Sequence, residues 1–122
     1  MGICSLLCAK ATRFYKIDSR TQTLRHIAGT GEQGYTGDDG PALTAKLSGP
    51  KGLTYSPNGN LYLADTESHT IRVIDLRTGI ISTVLGNGKK GELSRPHGVL
   101  FADGVLYVSD SENHRILTVT PR

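Results

Sequence analysis

The chain copies itself. Leu47-Ser48-Gly49-Pro50-Lys51-Gly52 returns 46 positions later as Leu93-Ser94-Arg95-Pro96-His97-Gly98. Asn60-Leu61-Tyr62-Leu63-Ala64-Asp65 returns 45 positions later as Val105-Leu106-Tyr107-Val108-Ser109-Asp110. One residue is lost in the turn between these blocks, where Ser56-Pro57-Asn58-Gly59 shortens to Ala102-Asp103-Gly104. A period in the mid-forties marks one supersecondary unit repeated along the chain. Such a unit cannot bury its apolar faces alone, so neighbouring copies must stack.

The best-preserved copy reads as four strands. Gly52-Leu53-Thr54-Tyr55 is a short apolar run after Pro50, and Pro57-Asn58-Gly59-Asn60 is turn chemistry in which Asn-Gly accepts positive φ. Leu61 to Ala64 is apolar on both faces, Asp65-Thr66-Glu67-Ser68 is a polar loop, and Thr70-Ile71-Arg72-Val73-Ile74-Asp75 is rich in β-branched residues. Arg77-Thr78-Gly79 turns the chain into Ile80-Ile81-Ser82-Thr83-Val84-Leu85, which Gly86-Asn87-Gly88 closes. The pattern predicts an antiparallel meander whose two central strands need cover on both faces. With no long helical segment to supply that cover, other sheets must. Radially packed four-stranded blades, a β-propeller, meet the requirement.

The flanking copies are partial. Phe14-Tyr15-Lys16-Ile17-Asp18 matches Ile71 to Asp75 at an offset of 57, and Arg20-Thr21 matches Arg77-Thr78. Gly29, Gly31 and Gly34 match Gly86, Gly88 and Gly91, which gives third and fourth strands without the first two. The last copy supplies strands near His97–Phe101, Val105–Ser109 and Arg115–Thr120. The layout is a lead-in over 1–12, read as a disordered or truncated tail, a half blade over 13–34, an inter-blade loop over 35–46, a full blade over 47–92 and a partial blade over 93–122. Within the loop, Pro41 to Leu47 is expected to make one helical turn with Ala42 and Ala45 facing inward.

At 122 residues this is one domain at most, of a size that buries roughly 65–70% of its unfolded surface. The net charge of +3 is spread along the chain and does not compel nucleic-acid binding. Both cysteines, Cys4 and Cys8, fall in the lead-in, so no disulfide framework is expected in the domain. The apolar start lacks a basic n-region and is far short of the ~20 residues of a membrane span. Leu6 stands where a myristoylation signal carries Ser or Thr, and the bulky Leu7 before Cys8 makes a poor lipoprotein box. No membrane association is expected, the compartment is left open, and the balance leans to the cytosol.

Residues 49–65, followed by His69-Thr70-Ile71-Arg72, resemble an NHL repeat. So does Arg95-Pro96-His97-Gly98-Val99, continued by Leu106-Tyr107-Val108-Ser109-Asp110 and Asn113-His114-Arg115-Ile116. Residues 27–42 are similar to the inter-blade linker of bacterial-type and teneurin-like NHL arrays. The resemblance runs over 13–122 and implies an all-β, NHL-type propeller. NHL proteins typically close as six-bladed rings. This chain holds about two and a quarter blades of an incomplete ring, so it is a fragment of a longer protein or several copies complete the ring.

The repeats also sort the candidate residues. Asp65 and His69 recur as Asp110 and His114. An Asp–His pair can orient a catalytic imidazole, but a pair present in every copy is read as satisfying backbone groups of the turn between second and third strands. Ser68 and Ser111 lie near these histidines without a nucleophile elbow. His97 stands where the other copy has Lys51, at the start of an innermost strand. By resemblance, NHL-like enzymes such as the peptidylglycine-type amidating lyases hold metal with histidines near the channel; here Lys51 leaves that set incomplete, and no metal or other cofactor is assigned. His26 is expected to be solvated on an outer strand. Gly37-Asp38-Asp39-Gly40 lacks the alternation of a calcium loop and reads as a turn. No phosphate-binding or dinucleotide motif occurs.

Lys89, Lys90, Arg95 and His97 cluster in the loop before the last copy and are the candidate binding residues. By resemblance, several NHL domains of the animal TRIM type bind RNA through a basic face, and phosphates favour such a patch. Glu92 interrupts it, and stacking aromatics are scarce, with no Trp and two Phe. The favoured function is an interaction scaffold whose loops bind a protein or glycan, with no catalysis of its own. The alternatives are a fragment of a metal-dependent propeller lyase or hydrolase, and an RNA binder. Self-association through incomplete blades is also expected.

Overall fold

The computed structural model describes residues 4–6, 13–18 and 20–121, which form three antiparallel sheets. The first contains β1 (Cys4–Leu6), β2 (Phe14–Asp18) and β3 (Thr23–Ala28) in that order. A two-residue strand β4 (Gly40–Pro41) leads into a single 3-10 turn at Ala42–Thr44. The middle sheet is the meander β5 (Pro50–Tyr55), β6 (Asn60–Asp65), β7 (Thr70–Asp75) and β8 (Ile80–Leu85), with β4 added outside β8. The last sheet is β9 (Gly98–Ala102), β10 (Val105–Asp110) and β11 (Arg115–Val119).

One element departs from the sequence expectation. Cys4–Leu6 lies within the stretch read as a disordered or truncated tail, yet it pairs along β2 from Cys4 opposite Ile17 to Leu6 opposite Tyr15. The edge of β2 offers backbone donors and acceptors, and a short apolar segment satisfies them. The N-terminal sheet therefore has three strands rather than two. Residues 1–3 and 7–12, including Cys8, lie outside the described residues.

The middle sheet is apolar on both sides. On one side Leu61, Leu63, Ile74 and Ile81 are closed off with Ala28, Ala42, Ala45 and Leu47. Ala42 and Ala45 are buried, as the inter-blade helical turn requires. On the other side Tyr62, Ala64 and Ile71 pack with Leu93, Leu106 and Val108 of the last blade. Tyr62 stacks on Phe101 with ring centroids 5.8 Å apart and planes 4° from parallel. Alternation along β6 divides the work, with Leu61 and Leu63 facing one neighbour and Tyr62 and Ala64 the other.

The innermost strands approach closely. Thr54 Oγ1 accepts from the Phe101 N–H at 3.0 Å. A Cβ on Gly52 would run into the His97 carbonyl oxygen, so β5 and β9 fit together only with glycine there. Gly52→Ala must push the two inner strands apart and is expected to cost about 1–3 kcal/mol, the usual range for overpacking. Gly91, with nothing near its absent Cβ, is the control, and Gly91→Ala should change stability by no more than about 0.5 kcal/mol. Urea unfolding of the two variants checks this, and equal midpoints would contradict the close approach.

Candidate functional site

The chemistry-bearing side chains gather on the rim where β6 and β10 end and β5 and β9 begin. At each repeat an aspartate reaches back to the entry of its own blade. The Ser48 N–H donates to Asp65 Oδ1 at 2.8 Å, and the Ser94 N–H donates to Asp110 Oδ1 at 2.8 Å. The return bonds run from Glu67 N–H to the Ser48 carbonyl at 2.9 Å and from Glu112 N–H to the Ser94 carbonyl at 3.1 Å. These aspartates thus hold the link before the first strand. The bonds lie outside the second-to-third-strand turn where the sequence reading placed them.

A second set of contacts ties blade to blade. Thr66 Oγ1 donates to the Pro96 carbonyl at 2.6 Å, and the Arg95 N–H donates to His69 Nδ1 at 3.0 Å. Arg95 Nη2 lies 2.7 Å from Glu67 Oε2, and its Nη1 lies 3.4 Å from Glu112 Oε2. Glu112 also meets Lys90 Nζ at 3.3 Å. Arg95 sits at φ 46°, in the left-handed region, where the other copy has Gly49 at φ 62°. The side chain that replaced glycine is kept in that conformation by two carboxylates from successive blades.

The candidate binding residues fare differently here. Lys90 and Arg95 come together and are neutralised by Glu67 and Glu112. Lys89 is exposed. His97 is exposed and its Nδ1–H donates to the Arg95 carbonyl at 3.0 Å. His69 and His114 close 3-10 turns at φ 58° and 54°, and His69 is engaged as an acceptor. Among the described residues, no three His, Cys, Asp or Glu side chains converge as a metal site. His26 departs from the expectation of a solvated ring. It is half-buried, and its Nε2–H donates to the carbonyls of Ala28 at 3.0 Å and Gly29 at 2.5 Å.

The sequence reading missed a fully buried guanidinium. Arg72 is fully buried, with Nη1 donating to the Lys46 carbonyl at 2.8 Å and Nη2 to the Thr36 carbonyl at 2.8 Å and Asp38 Oδ1 at 2.9 Å. The Tyr35 ring lies 5.0 Å from the guanidinium carbon. Thr83 and Tyr35 hydroxyls donate to Asp38 Oδ2 at 2.6 and 3.2 Å. The Gly37–Gly40 segment, read as a turn, is thus the lid of a guanidinium cage. Asp38 is committed to that cage.

Charges on this scaffold shift according to their partners. Burial pushes the Asp65 carboxyl up, and the bonds from Ser48 and Ser68 offset this only in part. Burial acts on Asp110 too, but bonds from Ser94, Asn113 and Arg115 outweigh it and leave its pKa lowered. Asp38 is likewise pushed up by burial and brought below its ordinary value by Thr83, Arg72 and Tyr35. Hydrogen bonds from Arg95 lower Glu67, and those from Lys90 and Arg95 lower Glu112.

Stacked antiparallel meanders, clasped at one rim by an aspartate repeated from blade to blade, define a β-propeller segment built of NHL-type blades. The model of the teneurin NHL domain matches residues 8–100, and that of the NHL repeat matches 93–118; the chain belongs to the teneurin NHL domain family. It is 38% identical over 96 residues to protein SUPPRESSOR OF QUENCHING 1, chloroplastic, of Arabidopsis thaliana, covering 70% of this chain and 9% of that protein. It is 33% identical over 91 residues to human NHL repeat-containing protein 2, covering 64% of this chain and 12% of the relative. It is 44% identical over 72 residues to zebrafish (Danio rerio) teneurin-3, covering 54% and 3%. The chain therefore spans about a tenth or less of each of these relatives. In fold it is similar to a structural genomics protein of unknown function from Bacteroides thetaiotaomicron, with a TM-score of 0.77 at 18% identity over 93% of this chain and 31% of that one. Among the described residues no helix is long and apolar enough to cross a membrane.

The pKa shifts fix a sign for acid stability. Asp38, Glu67, Asp110 and Glu112 have lowered folded values, so their contribution is present above the ordinary 3.8 and 4.5 and is lost as pH falls through the lowered values. Asp65 runs the other way: its contribution is full below 3.8 and is lost as pH rises through its raised value. With four groups against one, the melting temperature should drop as pH falls below about 4.5, and Asp110→Asn should make that drop shallower. Thermal melts between neutral and acid pH check this. A flat profile for the parent chain would be the wrong result.

Proposed function

We propose that the chain is a rigid interaction module that holds its rim loops in fixed positions for a protein or glycan partner and performs no chemistry of its own. The observation that carries this reading is the use of the rim charges. Asp65, Asp110, Glu67, Glu112, Lys90 and Arg95 all bond to one another or to backbone, and each bond fixes a loop. A catalytic group needs its reactive atom free to meet substrate. A display surface needs the opposite, loops whose entropy has been removed before the partner arrives. The relatives carrying NHL repeats give the same scaffold, and their own activities stay with them. The RNA alternative loses ground because the two cations central to the patch face carboxylates 2.7 to 3.4 Å away.

Binding of the immobilised chain to a panel of proteins and glycans tests the module. Saturable retention of a protein or glycan, reduced in a Lys89→Glu, His97→Glu variant with unchanged melting, is expected. Salt-sensitive RNA binding abolished by Lys89→Ala with Lys90→Ala would replace this reading by the nucleic-acid one.

Self-association belongs to the same proposal. Tyr62 and Ile71 in the middle blade are 3% and 0% exposed, because the last blade covers them; their equivalents Tyr107 and Ile116 are 39% and 66% exposed. The edge of β11 is also unpaired among the described residues. Further blades of a longer polypeptide, or a second copy, would cover this face. Light scattering of the 122-residue chain at tens of micromolar is expected to give a mass above that of one chain, reverting to one in Tyr107→Lys with Ile116→Lys. A well-folded parent monomer would overturn self-association while leaving the module intact.

A further inference from the structure

We propose that the cleft between β3 and the turn joining β7 to β8 is a docking pocket for an apolar side chain flanked by carboxylates on a partner's extended segment. The inference rests on the interaction-module reading and gives it a second surface, on the rim opposite the clasped one. The cleft has a volume of about 330 Å³, within the range of about 300–1,000 Å³ seen for binding pockets. Its apolar walls are the partly covered Ile27 and Leu76, backed by the buried Leu61 and Ile74, and its lip is formed by Pro41 and Leu43. Leu43 is 50% exposed, and Ile27 and Leu76 are only partly covered, so apolar surface is left open on a part of the fold that is otherwise closed. The cavity is ample for a leucine-sized side chain, and a side chain seated in a desolvated pocket is the arrangement that concentrates binding energy at an interface.

Arg25 and Arg77 stand at the same cleft. No ion pair engages Arg25 among the described residues, and the Arg77 side chain is 78% exposed with Asp75 Oδ1 at a loose 3.7 Å. Asp75 Oδ1 already accepts the Arg77 backbone N–H at 2.9 Å. The contrast with the clasped rim decides the partner's charge. There Arg95 and Lys90 are matched by glutamates; here two guanidiniums border the cleft, and Asp75, the one carboxylate paired with either, lies loosely beside Arg77. Guanidinium groups bind carboxylates with paired, charge-assisted hydrogen bonds. His26 is excluded as a contact donor because its Nε2–H is held by Ala28 and Gly29. The described lining includes no Phe or Tyr on which a nucleobase could stack, which favours an acidic peptide over RNA.

The test is fluorescence polarisation of the 122-residue chain with a fluorescein-labelled acetyl-Glu-Asp-Leu-Asp-Glu peptide at low salt. Saturable binding is expected, weakened by added salt and about tenfold or more weaker in Arg25→Glu with Arg77→Glu. Arg25→Lys with Arg77→Lys should bind between the parent and the charge-reversed variant, since lysine keeps the charge and loses the paired bonds. Replacing the peptide's leucine by alanine should abolish it. No saturable binding to the parent, equal binding by the charge-reversed variant, or equal binding of the alanine peptide overturns the pocket. Partner retention that survives Arg25→Glu with Arg77→Glu but not Lys89→Glu with His97→Glu would place recognition on the clasped rim alone. That result would end this inference and spare the module.

Discussion

Strand β6 has water excluded from both of its faces, and the rest of the molecule is arranged around that demand. Leu61 and Leu63 are fully buried on one side, and Tyr62 and Ala64 are closed off on the other. Burial of side chains this size is worth about 1.5–3 kcal/mol each, and it is realised only when sheets lie against both sides. A two-layer sandwich cannot do this, because each sheet there keeps one wet face. Stacked blades can, and each added blade both covers its neighbour and presents a new face to be covered. The exposed Tyr107 and Ile116 are that same demand carried one blade further along the chain.

Stacking apolar faces fixes distance but not rotation about the stacking direction. The rim contacts supply the rotation. Asp65 and Asp110 tie each blade's entry to the end of its own second strand, while Thr66, His69 and Arg95 tie one blade's turn to the next blade's entry. Buried polar bonds of this kind are costly to leave unmade, so a blade slipped by one residue would leave Asp65 buried without its donor. Register is therefore set by polar groups and stability by apolar ones.

The repeat made the strands legible. Two copies in register revealed β5 to β8 and β9 to β11, because an alternation seen twice at the same spacing is hard to mistake for a helix. The turn at Ala42–Thr44 was legible from Pro41 and its flanking alanines. Strand β1 was not, since three residues carry no period and their pairing partner is set by the free edge of β2. Arg72 was not either. In Thr70-Ile71-Arg72-Val73 it looks like the wet side of a strand, and its partners Thr36, Asp38 and Lys46 lie 26 to 36 positions away. Its counterpart in the last blade is Leu117, so the repeat itself pointed to an apolar site with an exception, and that mismatch was the available signal. The glutamates that neutralise Lys90 and Arg95 were hidden for the same reason. Charge clusters are read along the chain, but they are compensated across it.

The two aspartate clasps show how a repeated motif acquires different physics in different blades. Asp65 and Asp110 hold the same backbone N–H at the same distance, yet burial raises the pKa of the first while the second is lowered. Asp65 lies deeper among protein atoms and meets the larger desolvation, and position 70 is Thr where position 115 is Arg. Thr70 leaves Asp65 with hydroxyl and amide donors, whereas Arg115 brings its Nε to 2.8 Å from Asp110 and donates through Nη2 to the Glu92 carbonyl at 2.7 Å. Arg115 thus compensates the carboxylate and closes the link that begins the last blade in one step. In the middle blade the third-strand cation, Arg72, is turned instead to the cage around Asp38, on the strand position facing the N-terminal sheet. The middle and last blades each carry one arginine in the third strand, and which neighbour it serves, the blade's own rim or the loop before it, separates two copies that the sequence pattern alone presents as equivalent.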